Sequence, residues 1–551
     1  MKKRTVYTGV LLVLLSFSFG FVSELSDNYF EISKNLDIFG KLYREINAIY
    51  VDDTEPAKLM ETGIDAMLNS LDPYTTFIGE DEREDIQFMS TGQYGGIGAL
   101  VGKRKGKLVI LEPYEGYPAD QAGLKAGDVI VRIGDEPVLG TEKEVADVRV
   151  LLRGDRGTEV AMEYDRNGAR KEVKIFRNRI RIDNVPYYGM IDNEIAYVAL
   201  TGFTQDAGRE VQRALRKLNL KHEVKGIVLD LRGNPGGRLD EAVNVSNVFL
   251  PLGEVIVETR GRIQGSKKKH TAENIPMDTE TPLVVLVDKS SASASEIVAG
   301  SLQDLDRAVI VGQRSFGKGL VQNIRPLSYN TQLKVTTAKY YTPSGRCIQA
   351  INYAERREDG SVVRIPDSLK NEFKTRNGRS VFDGGGIEPD IKIEEESSQL
   401  IINALNRNGL IFEFATSYVR QHPQAPNLRE FTLTDADYKD FISFVEKSAF
   451  NFKTSSDLQL EKLGKSIEEE AYGSVLSSQI EEISKELERL KFEDIDRYKN
   501  SISSLIRKAI IRQYYYEDGV LESSLNKDPE LIEAAKVLKD GERYKKILSL
   551  P

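Results

Sequence analysis

The stretch from Leu283 to Gly300 reads LVVLVDKSSASASEIVAG, and it decides both the fold and the chemistry of the chain. Its first five residues form a continuous apolar run, the pattern of a strand buried on both faces. Serines follow, and Ser293 stands three residues before Glu296 at the head of a helix-forming segment. A strand that runs through a hydroxyl-rich turn into a helix sets those hydroxyls at the carboxyl end of a sheet, where open α/β sheets bind ligands. The helix start adds amide donors and positive partial charge for an anion formed there. Ser293 with Glu296 is also a capping box, which many inert helices carry. On this stretch alone, the serine is either a cap or a nucleophile.

Working outward, further short apolar runs read as strands at Ile195–Leu200, Gly226–Leu231, Val255–Glu258 and Ala308–Val311. Helical spacing recurs over Asp206–Leu218, Leu239–Phe249 and Ser293–Leu305. The alternation predicts a mostly parallel sheet covered on both faces. Upstream, Gln93 to Arg177 changes to short alternating strands broken by glycines, with two small helices, which reads as a partly open β-barrel. Before it, Tyr29 to Leu71 carries apolar residues at helical spacing, divided near Asp52, Asp53 and Pro56 and stopped by Pro73. Beyond about Ser397 the chain is charged and helical, with Leu476, Ile480, Ile483, Leu487 and Leu490 on one predicted face.

At 551 residues the chain is too long for one core, and four units account for it. Apolar residues make up 40% and charged residues 29%, which suits a soluble globular protein. A net charge of −9 argues against a nucleic-acid partner. Lys267, Lys268 and Lys269, the one basic run, read as a solvated loop or hairpin tip. Cys347 stands alone, without a base nearby, and reads as a small half-buried apolar residue. Lys2, Lys3 and Arg4 followed by an apolar run to Val22 read as a secretory signal or an uncleaved anchor over residues 1–22. The remainder is therefore expected to be exported, either periplasmic or anchored to the outer face of the inner membrane.

A second glycine-rich stretch, Arg314–Gln322, brackets Lys318 with Gly317 and Gly319. A lysine acts as a base only when neutral, and its ordinary pKa is about 10.4. Work near pH 7 to 8 requires a shift of about three units, or roughly 4 kcal/mol. An apolar, glycine-lined setting is consistent with that requirement. The three histidines, His222, His270 and His422, lie in charged or Pro/Gln contexts, so a Ser-His-Asp triad is not expected. No His-Glu-x-x-His pattern or Cys/His cluster suggests a metal. After the predicted strand at Gly226–Leu231, the loop Asp230–Gly237 (DLRGNPGG) suits exposed amides for an oxyanion, and equally a turn that needs positive φ.

Together these motifs resemble the carboxyl-terminal processing, or tail-specific, protease family. The matching pieces are LDP (71–73), GGIGA (95–99), LRGDRGT (152–158), LDLRGNPGG (229–237), SASASEI (291–297), FGKGLVQ (316–322), YYTPSGR (340–346) and GIEPD (386–390). The resemblance spans about residues 30–395 and implies a crotonase/Clp-protease-like α/β core at 179–397 with an inserted PDZ domain at 91–178. An N-terminal helical region (23–90) and a C-terminal helical accessory domain (398–551) complete the expected multidomain α/β architecture.

The resemblance further implies that Ser293 is the nucleophile and Lys318 the general base, with Gln322 orienting the lysine. Gly237 and Ala294 would form the oxyanion hole, and Asp304 would support the site. Peptide carboxylates would be captured around Gly95, Gly96, Ile97, Gly98, Ala99 and Leu100, by strand addition to a sheet edge. Arg153 would couple that domain to the core. The expected activity is a cofactor-free serine endopeptidase acting on protein or peptide substrates with accessible carboxyl termini. A homo-oligomer and membrane association through the N-terminal segment stay open as further partners. Two rival readings are a catalytically silent PDZ scaffold and a crotonase-like acyl-CoA enzyme.

Overall fold

Four parallel strands, fully buried because their apolar runs leave no face for water, form the heart of the protein, and a short fifth strand extends them. A computed structural model of the chain describes residues 29–80, 82–263, 265–356, 362–394, 399–448 and 450–550. The candidate signal at residues 1–22 lies outside the described residues. One compact unit comprises Met1–Glu80 with Gln322–Thr336, and a second comprises Asp81–Val321 with Thr337–Pro551.

In the second unit, β1 (Tyr187–Met190) pairs antiparallel with β2 (Ile195–Ala199). Parallel neighbours follow in the order β3 (Gly226–Asp230), β4 (Leu283–Val287), β5 (Val309–Gly312) and β6 (Ile391–Lys392). Leu283, Val285 and Val287 face one side, with helices α1 (Ala207–Asn219), α2 (Leu239–Phe249) and α3 (Ala294–Asp304) completing that core. Val284 and Leu286 face the other side. That face is covered by the far end of the chain: Leu531, Ala534, Val537 and Leu538 of α4 (Pro529–Lys539), with Tyr544 and Leu548. Part of the span read as an accessory domain therefore supplies half the covering of the sheet. Local periodicity could not reveal it, since α4 begins well over a hundred residues after β6.

The glycine-rich segment forms its own sheet of six strands around Ile110, Leu124, Ile130, Val148 and Met162. The run Lys267–Lys269 lies where Lys268–Thr271 pairs with Val255–Gly261, and Lys267 Nζ sits 3.3 Å from Glu258. Cys347 is half-buried, and burial pushes its thiol above the ordinary range, which disfavours the thiolate.

The C-terminal helices pack around Leu405, Phe414, Phe441, Ile502 and Ile506. Threonines 434 and 454 start two of these helices with formed capping boxes. Helix Gly473–Arg497 has the predicted periodicity, but its apolar row is not core: Ile483 is 49% exposed and Leu476 and Leu490 are each 38% exposed.

In the first unit, helices over 29–49 and Pro56–Asn69 are followed by a turn at Asp72, which accepts from the Tyr74 and Thr75 amides at 2.8 and 2.9 Å. Strand Thr76–Ile78 then pairs antiparallel with residues 332–334. Among the described residues, this unit joins those two helices to one short strand.

Candidate active site

Ser293 ends the turn after β4 and begins α3, with φ 55° and ψ −110°. Positive φ on a non-glycine residue costs on the order of 1–3 kcal/mol and persists only where neighbours impose it. Glu296, fully buried one turn along α3, is the main neighbour. Its Oε2 accepts from the Ser293 amide at 2.8 Å and from the Lys318 amide at 2.9 Å. Its Oε1 accepts from the Ser315 hydroxyl at 2.6 Å and the Gly317 amide at 2.7 Å. The Glu296 half of the capping box is formed, and its carboxylate also holds the lysine loop. Burial pushes this carboxyl up, while bonds from Ser315, Lys318, Gly317 and Ser293 pull it back.

Tyr340 makes the same link through carbonyls. Its buried hydroxyl donates to the Ser293 carbonyl at 3.1 Å and to the Lys318 carbonyl. Nucleophile and base candidates, 25 positions apart in sequence, thus share two buried side chains. The glycine before Lys318 has a steric reason: at φ +88°, a Cβ on Gly317 would lie 2.4 Å from that of Ala350.

The Asp230–Gly237 loop abuts the serine turn. The Asn234 carbonyl accepts from the Ala292 amide at 3.1 Å and the Ser295 hydroxyl at 2.9 Å. A Cβ on Gly236, at φ +101°, would lie 2.6 Å from the Ala292 carbonyl oxygen and 2.9 Å from both the Ala294 nitrogen and the Ser293 Cβ. The turn and the amide-exposing loop are therefore one feature: positive φ at Gly236 permits the approach to Ser293. Among the described residues, the amides of Gly237 and Ala294 donate no intramolecular hydrogen bond.

Gln322 belongs to the first unit, where its amide donates to the Thr336 hydroxyl at 3.2 Å. Asp304 is at the far end of α3, about 16 Å along the helix from Ser293 at roughly 1.5 Å per residue. It accepts from buried Arg346 at 2.8 Å and from the Ser344 amide at 3.0 Å. In this position it supports the 342–346 turn. None of the three histidines is bonded to Ser293 among the described residues. His422, for example, stacks on Tyr418 at 4.2 Å in the helical domain.

The sequence pattern of peptidase family S41 matches residues 194–356, that of a PDZ domain residues 109–166, and that of a probable PDZ-protease C-terminal helical domain residues 401–538. The carboxy-terminal-processing protease of Bartonella bacilliformis is 40% identical over 324 residues, 58% of this chain and 73% of its own. Carboxy-terminal processing protease CtpA of Bacillus subtilis is 30% identical over 438 residues, 79% of this chain and 90% of its own. The chain belongs to the carboxy-terminal processing proteases. It is a serine protease with a PDZ domain, which sets aside the silent-scaffold and acyl-CoA readings.

In this protease the PDZ strand Ala99–Arg104 is at a sheet edge, paired on one side with Lys107–Pro113. Gly95 and Gly96 pair with Arg179 and Asn178, and Ile97 is buried in the PDZ core. The Gly98 and Ile97 carbonyls accept from the Tyr114 and Ala119 amides at 2.9 and 2.8 Å. Of the six residues expected to hold peptide, Ala99 and Leu100 lie on the edge strand, and Leu100 is 46% exposed. Arg153 lies over the Tyr94 ring at 5.4 Å, a contact to the first strand of this region.

Proposed function

We propose that the protease is an exported endopeptidase in which Ser293 and Lys318 form the catalytic dyad and the PDZ domain receives the carboxyl-terminal tail of a protein substrate. The observation that carries this reading is the buried Glu296 carboxylate, which accepts the amide protons of both dyad residues. Neutral Lys318 Nζ takes the Ser293 hydroxyl proton as Oγ bonds to the substrate carbonyl carbon. The carbonyl oxygen becomes an anion and is received by the Gly237 and Ala294 amides. The resulting ammonium returns its proton to the departing amine when the peptide bond breaks. Lys318 then deprotonates a water, which hydrolyses the acyl-enzyme and frees Ser293.

The open edge of Ala99–Arg104 supports addition of an extended tail as a further strand. The apolar N-terminal run supports export, leaving the protein periplasmic or anchored to the outer face of the inner membrane. Degradation of an unfolded protein by wild type, Ser293→Ala and Lys318→Ala tests the dyad. Both variants are expected to lose cleavage by at least about a thousandfold, and undiminished cleavage by either overturns it.

A further inference from the structure

Arg232, five residues before Gly237, is placed where no need of the loop alone would put it. Its Nε donates to Asp230 Oδ1 at 3.0 Å and its Nη2 to Asp230 Oδ2 at 2.6 Å. Its Nη1 reaches outside the loop, donating to Asp528 Oδ1 and Oδ2 at 3.0 and 2.9 Å and to Glu530. The guanidinium is 18% exposed, Asp230 8%, Asp528 12% and Glu530 16%, so the cluster is largely out of water. Tyr197 completes it, donating to Asp230 at 2.9 Å.

Asp528 caps α4, accepting from the Glu530 and Leu531 amides at 3.0 and 3.2 Å. Leu531, Ala534, Val537 and Leu538 anchor α4 to the sheet. The partners of Arg232 are thus fixed by packing and do not reach it as flexible surface side chains. Arg232 is joined rigidly to the rest of its loop. The Gly233 amide donates to Asp288 at 3.0 Å, and the Asn234 side chain spans from the Leu200 carbonyl at 2.7 Å to the Gly236 amide at 2.9 Å. An unbroken chain of short contacts runs from α4 to the glycines beside Ser293.

We propose that Asp528 and Glu530 are positioning residues for hydrolysis, through which the carboxyl-terminal segment sets the oxyanion loop of the catalytic core. This rests on the dyad and oxyanion reading above. Two carboxylates fixed on α4 hold the guanidinium from one side while Asp230 holds it from the other, which sets where the loop leaves β3. An oxyanion donor acts only within hydrogen-bond reach of the developing charge, and a misplacement of about 1 Å costs around a hundredfold. The segment that covers the second face of the sheet therefore also completes the site, and a chain whose α4 is unseated would bind substrate without turning it over efficiently.

The test uses the full chain carrying Asp528→Asn and Glu530→Gln together. Asparagine caps a helix about as well as aspartate, so α4 keeps its start while Arg232 loses both of its charged partners there and keeps Asp230. Peptide hydrolysis is measured per folded molecule, with the folded fraction taken from near-UV circular dichroism. Binding of a peptide aldehyde that forms the tetrahedral adduct is measured in parallel. The expected result is a fall in kcat of about tenfold to a hundredfold with KM within about twofold, and a matching loss of aldehyde affinity. Wild-type kcat per folded molecule, or a loss of folded protein with no loss of kcat, overturns the proposal. Ser293→Ala runs beside it: if that variant cleaves like wild type, the dyad reading has failed. If it is dead while the double variant works normally, only the positioning role has failed.

Discussion

Removing the Glu296 carboxylate should uncouple the two dyad residues, and its hydrogen bonds allow the cost to be worked out. Four donors converge on it: the amides of Ser293, Gly317 and Lys318 and the Ser315 hydroxyl. Glu296→Ala leaves three amides without an acceptor; the buried Gly317 amide costs about 1–3 kcal/mol and the part-buried Ser293 and Lys318 amides less each, so about 3–9 kcal/mol is an upper range. Water entering the cavity brings that toward the lower end.

Glu296→Gln is milder, because the amide can choose its orientation. With its oxygen toward Ser293 and Lys318, its NH2 meets the Gly317 amide and the Ser315 hydroxyl. That hydroxyl already accepts from the Ile387 amide at 2.6 Å, but it keeps a second lone pair for the new donor. One amide is then unpaired, at about 1–3 kcal/mol. Alanine should therefore destabilise more than glutamine and abolish hydrolysis, while glutamine retains a reduced rate. Urea unfolding followed by circular dichroism, with peptide hydrolysis on the same samples, reads both quantities. An alanine variant with wild-type stability and rate, or one more stable than glutamine, would refute the reasoning.

Gly236→Ala should lose hydrolysis, because its methyl would meet the Ala292 carbonyl, the Ala294 amide nitrogen and the Ser293 Cβ at 2.6–2.9 Å from a φ of +101°; a wild-type rate would show that the loop can withdraw without consequence. Burial pushes Glu112 of the PDZ domain up to about 7, with Arg512 opposing and Glu517 adding to the rise. Its folded pKa lies above its unfolded value near 4.5, so its charge costs stability as pH rises from there to about 7, by about 3 kcal/mol in full. Glu112→Gln should match wild type in urea unfolding at pH 4 and exceed it by up to that amount at pH 8; the same difference at both pH values would refute it.

Much of the core was legible because its signals are local. Five-residue apolar runs between helical segments leave few alternatives to a buried parallel sheet, and Leu283–Val287 is such a strand. The glycines around Lys318 announced a constrained loop, and at Gly317 the constraint is Ala350. Signals that depend on distant partners were silent. Tyr340 belongs to a recognised motif, but nothing in that motif says that its hydroxyl bridges two carbonyls. Glu296 was legible as a helix cap, while its bonds to Ser315, Gly317 and Lys318 were not. The row from Leu476 to Leu490 is apolar and periodic, yet partly exposed, since periodicity states which residues share a face and not whether anything covers it.

The cap and the proposed nucleophile at Ser293 are physically compatible. A cap pairs the first amides of a helix, and a nucleophile needs its hydroxyl held in a conformation the backbone would not adopt unaided. Glu296 serves both needs with one carboxylate. Its oxygen pairs the Ser293 amide, as the cap requires, and the same oxygen pairs the Lys318 amide, which fixes the loop of the proposed base against a strained serine. Tyr340 closes the arrangement from the carbonyl side. Had Glu296 been only a cap, its second oxygen would be expected to face solvent, as in helices that begin at a protein surface. Instead the carboxylate is fully buried and surrounded by donors, at a desolvation cost that a helix start alone would not require. Capping the helix and holding the Ser293 and Lys318 loops together are one function of one side chain.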